Sequence, residues 1–157
     1  MKVLLINGSP RKAGNTFLAL SEVAKTLESL GVKSEIVHIG PVAIQGCIAC
    51  FRCKGLGRCV FNDTPYVTVR EKLESADGII IGSPVYYAGP NGSLCALLDR
   101  LFFSSKQLLQ YKPAAAVAVC QQRIAVFAEI FCRFRFTEES HLAGGHLFSS
   151  HFLRKLF

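Results

Sequence analysis

Two short segments and one cluster of thiols hold the residue types that could do chemistry. The first segment is Gly8-Ser9-Pro10-Arg11-Lys12-Ala13-Gly14-Asn15-Thr16. Ser9 and Thr16 offer hydroxyls, Asn15 an amide, and Arg11 a forked donor that is always charged. Small residues, backbone N–H groups and a helix start in one place suit a phosphate dianion. The spacing is neither GxGxxG nor GxxxxGK followed by Ser or Thr, so adenine dinucleotides and nucleoside triphosphates lose weight. An ordinary polar turn with a basic pair is the rival reading. The second segment is Ser83-Pro84-Val85-Tyr86-Tyr87-Ala88-Gly89. Pro84 and the two tyrosines supply rigid, flat surface, and the backbone supplies donors and acceptors for the edge of a flat ring. The rival there is a loop whose tyrosines merely pack against the protein.

The thiols are Cys47, Cys50, Cys53 and Cys59, with gaps of two, two and five residues. Such gaps let neighbouring sulfurs reach different irons of one 4Fe-4S cluster. A zinc site with four cysteine ligands is a second reading, although zinc sites usually pair two C-x2–4-C units across a longer gap. Free thiols in a loop are the third. Lys54 and Arg58 put positive charge beside the cysteines. Cys95 and Cys120 read as core residues. Cys132 supports no assignment. His38, His141, His146 and His151 are scattered, with no i, i+4 pair on a convincing helix, and carry no metal or acid–base role.

Several elements must position these residues. Val3–Ile6 is an aliphatic run that reads as a strand buried on both faces, leading into the first segment. Asn15 or Thr16 then caps a helix with apolar Phe17, Leu20, Val23, Ala24, Leu27 and Leu30, and Gly31 ends it. Lys33–Ile39 is a second strand. The cysteines fall in Gly40–Asp63, which has no clear period. Thr64 caps a short helix to Ala76. Gly78–Gly82 is a third buried strand, Ser83–Asn91 a loop, Ser93–Phe103 a helix, and Ala114–Cys120 a fourth buried strand. Ile124–Phe131 as a helix and a fifth strand between Phe134 and Phe148 complete the reading. Alternating helices and unbroken aliphatic strands mean an α/β, doubly wound parallel sheet.

Composition bounds the class. The chain has 157 residues, 50% hydrophobic and 18% charged, which fits one folded domain over 1–157 and excludes disorder as the main state. No apolar run approaches the roughly 20 residues that span a bilayer, and no signal-peptide core is seen. A soluble, cytoplasmic protein with no membrane partner is expected. The net charge is +7 without a run of five or more like charges, so no nucleic-acid tail is indicated. Seven cysteines, an odd number, argue against a secreted disulfide framework and for metal or redox chemistry.

The string from Asn7 to Thr16 resembles the phosphate loop of the flavodoxin-like NAD(P)H-dependent FMN reductases, in particular their branch of iron–sulfur flavoproteins. Gly82-Ser83-Pro84-Val85-Tyr86-Tyr87 resembles that family's flavin loop, and Gly46-Cys47 through Gly57-x-Cys59 its compact cluster motif. The resemblance implies a flavodoxin-like sheet of order 2-1-3-4-5, bound FMN and a homo-oligomer, dimer or tetramer. It implies that Ser9, Arg11, Asn15 and Thr16 hold the FMN phosphate and that Pro84, Val85, Tyr86, Tyr87 and Ala88 contact the isoalloxazine. It implies a 4Fe-4S cluster on Cys47, Cys50, Cys53 and Cys59. The pair Asp99-Arg100 also resembles the family's, and reads as structural or as a subunit contact. The expected activity is NAD(P)H-dependent reduction of a flavin, quinone or other acceptor, with no catalytic side chain. One rival is an electron carrier working with a ferredoxin-type partner. Another is a defective flavoprotein that binds no FMN. The resemblance is good to about residue 120 and fragmentary from about Phe131, so the C-terminus reads as atypical or truncated.

Overall fold

The computed structural model describes residues 1–87 and 89–120. Ala88, Cys132, the expected helix at Ile124–Phe131 and the expected strand between Phe134 and Phe148 lie outside the described residues. Among the described residues the elements are, in order, β1 (Lys2–Asn7), α1 (Asn15–Ser29), β2 (Lys33–His38), α2 (Thr64–Glu74), β3 (Gly78–Tyr86), β4 (Gly89–Pro90), α3 (Gly92–Ser104), α4 (Lys106–Leu109) and β5 (Ala114–Val119). The four long strands are all parallel, in the order β2-β1-β3-β5. That is the expected 2-1-3-4 for the long strands. The two-residue β4 is an extra, antiparallel to the end of β3.

The central strand explains the layering. Side chains of a strand alternate between faces, so Leu4 and Ile6 enter one core and Val3 and Leu5 the other. Leu4, Leu5 and Ile6 are wholly buried, which is why β1 reads as an unbroken aliphatic run. Leu20 and Ala24 of α1 cover Val3 and Leu5. On the opposite face Tyr66, Val69 and Leu73 of α2 and Leu94, Leu97 and Leu101 of α3, each at helical spacing, cover Leu4 and Ile6.

Helix ends differ from expectation in an instructive way. The residue capping α1 is Gly14, not Asn15 or Thr16, and no side chain caps that end. Its far end closes as expected, with Gly31 at φ +75° and the Val32 N–H donating to the Leu27 carbonyl at 2.9 Å. In α2 the cap position belongs to Asp63 rather than Thr64, yet the Asp63 side chain does not cap. It is engaged by Arg100 instead.

Two strands also differ. β3 runs on through Ser83, Pro84 and Val85 to Tyr86, because Ser83 and Pro84 still pair with Ala118 and Val119 of β5. The expected loop shrinks to a tight hairpin onto Gly89–Pro90. The aliphatic run of β5 predicts burial, but Ala114, Ala115, Ala116 and Ala118 are exposed. Among the described residues β5 pairs on one side only, with β3.

One ion-pair cluster ties the sheet edge to α2. Lys2 donates to Glu35 at 2.8 Å, and Lys72 donates to the same carboxylate. These bonds, Lys2's first and then Lys72's, hold the Glu35 carboxyl below its usual range. A carboxylate whose pKa is depressed by folding stabilises the fold above its unfolded value, and that contribution is lost as pH falls through the folded value. Glu35→Gln should therefore flatten the acid side of a melting-temperature profile. A profile that falls as steeply as that of the unsubstituted protein would contradict this.

Candidate functional site

The carboxyl ends of β1 and β3 lie side by side, with Asn7 paired to Gly82. The segment after β1 turns sharply there, and its Gly8 N–H donates to the Gly82 carbonyl at 2.8 Å. A Cβ on Gly8 would sit 2.4 Å from Leu94 and 2.8 Å from that carbonyl, so only glycine fits. Buried Asn7 organises the turn from its own side chain. Its Oδ1 accepts the Ser9 N–H at 3.1 Å and its Nδ2 donates to the Lys12 carbonyl. Ser9 Oγ accepts the Arg11 N–H at 3.1 Å. The ring of His38, at the end of β2, donates from Nε2 to the Ser9 carbonyl at 2.8 Å.

Ser9 and Thr16 are thus buried at the base of the loop, while Arg11 and Asn15 are exposed at its rim. All four surround the start of α1. Because no side chain caps that end, its first-turn N–H groups and its positive dipole end are offered to an anion.

A second asparagine joins this loop to the next. Asn91 Nδ2 donates to the Gly8 carbonyl at 2.6 Å, its N–H donates to Ser83 Oγ, and its Oδ1 caps α3 by accepting the Ser93 N–H. The hairpin carrying Pro84, Val85, Tyr86 and Tyr87 is therefore held against the phosphate-type loop. Pro84 and Val85 are half-buried. Tyr86 is 50% exposed and Tyr87 98% exposed, so Tyr87 packs on nothing among the described residues. Tyr87 also sits at φ +56°, a left-handed conformation that costs a residue with a Cβ about 1–3 kcal/mol.

The cysteine segment leaves β2 at the same sheet edge. It coils tightly, with Ala49, Phe51, Gly55 and Gly57 all at positive φ. Cys47 and Cys50 are exposed, and Cys53 and Cys59 half-buried. All four line one small cavity, walled by Phe61, Phe103 and Arg100 as well. Three helical side chains fasten the segment. Tyr66 of α2 accepts the Cys59 N–H at its hydroxyl at 2.8 Å, Arg70 of α2 donates to the Gly57 carbonyl, and Arg100 of α3 donates to Gln45, Phe61 and Asp63. Burial works against the Arg100 charge, but Asp63 and then the nearby Cys59 more than offset this and raise its pKa.

Among the described residues no three His, Cys, Asp or Glu side chains form the tight shell of a single metal ion. A cluster makes a different demand. Each thiolate binds its own iron, so the four sulfurs ring a wider centre than zinc allows. Four thiols around one largely apolar cavity, with a cation in the wall, fit a cluster by donor set and charge. Lys54, expected beside the cysteines, lies 5.2 Å from the Phe51 ring centre.

Other expectations fare unevenly. Cys120, expected in the core, is exposed; it comes just after β5, the outermost strand among the described residues. Cys95 is half-buried, and burial followed by Asp99 raises its thiol pKa. Sequence reasoning does not single out Asn7, His38, Tyr66, Arg70 or Asn91. Only Asn7 carries a usable signal: a polar residue ending an aliphatic run just before a glycine.

A doubly wound parallel sheet of order β2-β1-β3-β5, with loops meeting where β1 and β3 end, is a flavodoxin-like fold. The sequence profile of the NADPH-dependent FMN reductases matches residues 1–128, and the chain belongs to that family. It is 37% identical over 129 residues to an iron–sulfur flavoprotein of Methanocaldococcus jannaschii, covering 78% of this chain and 64% of that one. It is 40% identical over 100 residues to an iron–sulfur flavoprotein of Archaeoglobus fulgidus, covering 64% of this chain and 48% of that one. The crystal structure of RosB superposes with a TM-score of 0.67 at 16% identity, over 85% of this chain and 57% of that one, which supports the fold. The chain spans less than two thirds of the length of these curated relatives. No described helix is long and apolar enough to cross a membrane.

Proposed function

We propose that this chain, as a single domain over 1–157, is an FMN-binding oxidoreductase. The carrying observation is the uncapped start of α1 beneath a loop already braced by Asn7, His38 and Asn91. Ser9, Arg11, Asn15 and Thr16 would hold the phosphate there. Pro84 to Tyr87, with Ala88 next in the chain, would lie along the ring. Bound FMN would supply the hydride and electron transfer. The protein's part is to bind it, to orient its ring by the hairpin and to leave one ring face open. NAD(P)H suits as electron donor, and a quinone, free flavin, metal ion or protein as acceptor. No side chain need move a proton. A reducing cytoplasm suits the free thiols, and a homo-oligomer suits the family.

A second reading has its own support. Four thiols lining one cavity favour a 4Fe-4S cluster and an electron carrier that works with a ferredoxin-type partner. Steady-state NAD(P)H oxidation selects the reductase. Reduction by ferredoxin without NAD(P)H oxidation selects the carrier. Titration of apo protein with FMN, read by flavin fluorescence, tests what both share. If no FMN is taken up, both fall and a flavoprotein defective in binding remains.

The hairpin yields a narrower expectation. Tyr87→Ala should shift the bound-flavin spectrum or its reduction potential while the protein melts within about 0.5 kcal/mol of the original, as for other exposed sites. If Tyr86→Ala and Tyr87→Ala both leave spectrum, potential and FMN affinity unaltered, the hairpin has no part in holding the ring.

A further inference from the structure

Arg100 is the largest fully buried side chain in the described residues, at 1% exposure. It rises from α3 beneath the cysteine segment. Its fork donates to the Gln45 carbonyl at 3.2 Å, to the Phe61 carbonyl and to the Asp63 carboxylate. Gln45 stands just before Cys47 and Phe61 just after Cys59. One planar group therefore ties together the two ends of the segment that carries all four thiols. The guanidinium also lies 4.4 Å from the centre of the Tyr66 ring, whose hydroxyl takes the Cys59 N–H. Lysine has the charge but not the fork, and could not make these bonds at once.

The same side chain lines the cysteine cavity. Among the described residues its Nε is buried without a hydrogen-bond partner, as are Asp63 Oδ2 and Arg70 Nε. Here a buried cation stands in the wall of a thiol-lined space. Thiolates bound to a cluster carry more negative charge than the cluster core cancels, and buried charge is costly unless a counter-charge faces it.

We propose that Arg100 is a positioning residue that draws the two ends of the cysteine segment together around the cavity and supplies the positive charge that a thiolate-bound group there requires. The clamp needs no cluster. The charge role rests on the reading of the cavity as a cluster site.

Amide hydrogen exchange on the iron-free chain tests the clamp. Arg100→Gln and Arg100→Lys should each speed exchange across residues 45–61 by about tenfold or more, with β1 and α1 as protected as before. Unaltered exchange there, or faster exchange spread evenly over the sheet, overturns the clamp. Should Arg100→Gln fail to fold, Arg100→Lys carries this test.

The reduction potential of chain reconstituted with iron and sulfide tests the charge. Reduction adds negative charge, so loss of the cation disfavours the reduced form. Arg100→Gln should lower the ratio of reduced to oxidised cluster at a fixed poise by about tenfold, ~59 mV for one electron. Arg100→Lys should restore most of it. Equal potentials in Arg100→Gln and the unsubstituted protein overturn the charge role. If the unsubstituted protein takes up no iron while Arg100→Gln loosens residues 45–61, the cluster reading falls and the clamp stands.

Discussion

Arg11→Ala is expected to weaken FMN binding by about 1.5–3 kcal/mol, roughly ten- to hundred-fold, and riboflavin binding far less. The two ligands differ only in the phosphate. Arg11 stands at the rim of the loop, exposed, and its own N–H is held by Ser9 Oγ. Its backbone position is therefore fixed by the loop, and alanine keeps that N–H. What is lost is a charge-assisted hydrogen bond to a dianion, the strong kind. Binding isotherms for both ligands on both proteins decide the matter. Equal weakening of FMN and riboflavin would mean that Arg11 does not meet the phosphate, and the cradle would have to be redrawn around Ser9, Asn15 and Thr16.

The larger loss is expected at the thiols. Serine at any one of Cys47, Cys50, Cys53 or Cys59 should strip the cluster from anaerobic protein reconstituted with iron and sulfide, taking about four irons per chain to almost none. All four thiols line the same cavity, so none has a spare. FMN should stay bound, because its loops are braced by Asn7, His38 and Asn91 and not by the cysteine segment. Iron content and the cluster's absorbance are read together. A single-serine variant that keeps full iron would remove that cysteine from the ligand set. Unsubstituted protein holding under about one iron per chain would make all four structural thiols, and the electron-carrier reading would fall with them.

Much of the site is legible in the sequence because its parts are local. The proposed phosphate loop is one strand end, one turn and one helix start, all within Asn7–Thr16. The spacing of Cys47, Cys50, Cys53 and Cys59 is likewise local, and it narrows their chemistry to a cluster, a zinc site or free thiols without a fold. The strand ends after β1 and β3 can be placed together because aliphatic runs joined by helices admit few topologies. The hairpin is harder. Proline and glycine read as a loop, yet Ser83 and Pro84 stay in β3 because β5 still offers partners to pair with. A neighbouring strand is not visible from the local string.

The strand order of the long elements came with the family resemblance; by itself the sequence determined those elements, the two loop strings and the thiol spacing. These come from periodicity and from spacing along the chain, which short-range physics controls. Only the tertiary structure decided how they are held. Asn91 reaches Gly8 across 83 residues, and Arg100 reaches Gln45 across 55 and Phe61 across 39. It also decided that Asp63 serves Arg100 instead of its own helix, and that Tyr87 faces outward. Each of these is a choice of partner between distant groups. Burial makes that choice, because a polar group removed from water must take whichever partner the packed chain brings to it.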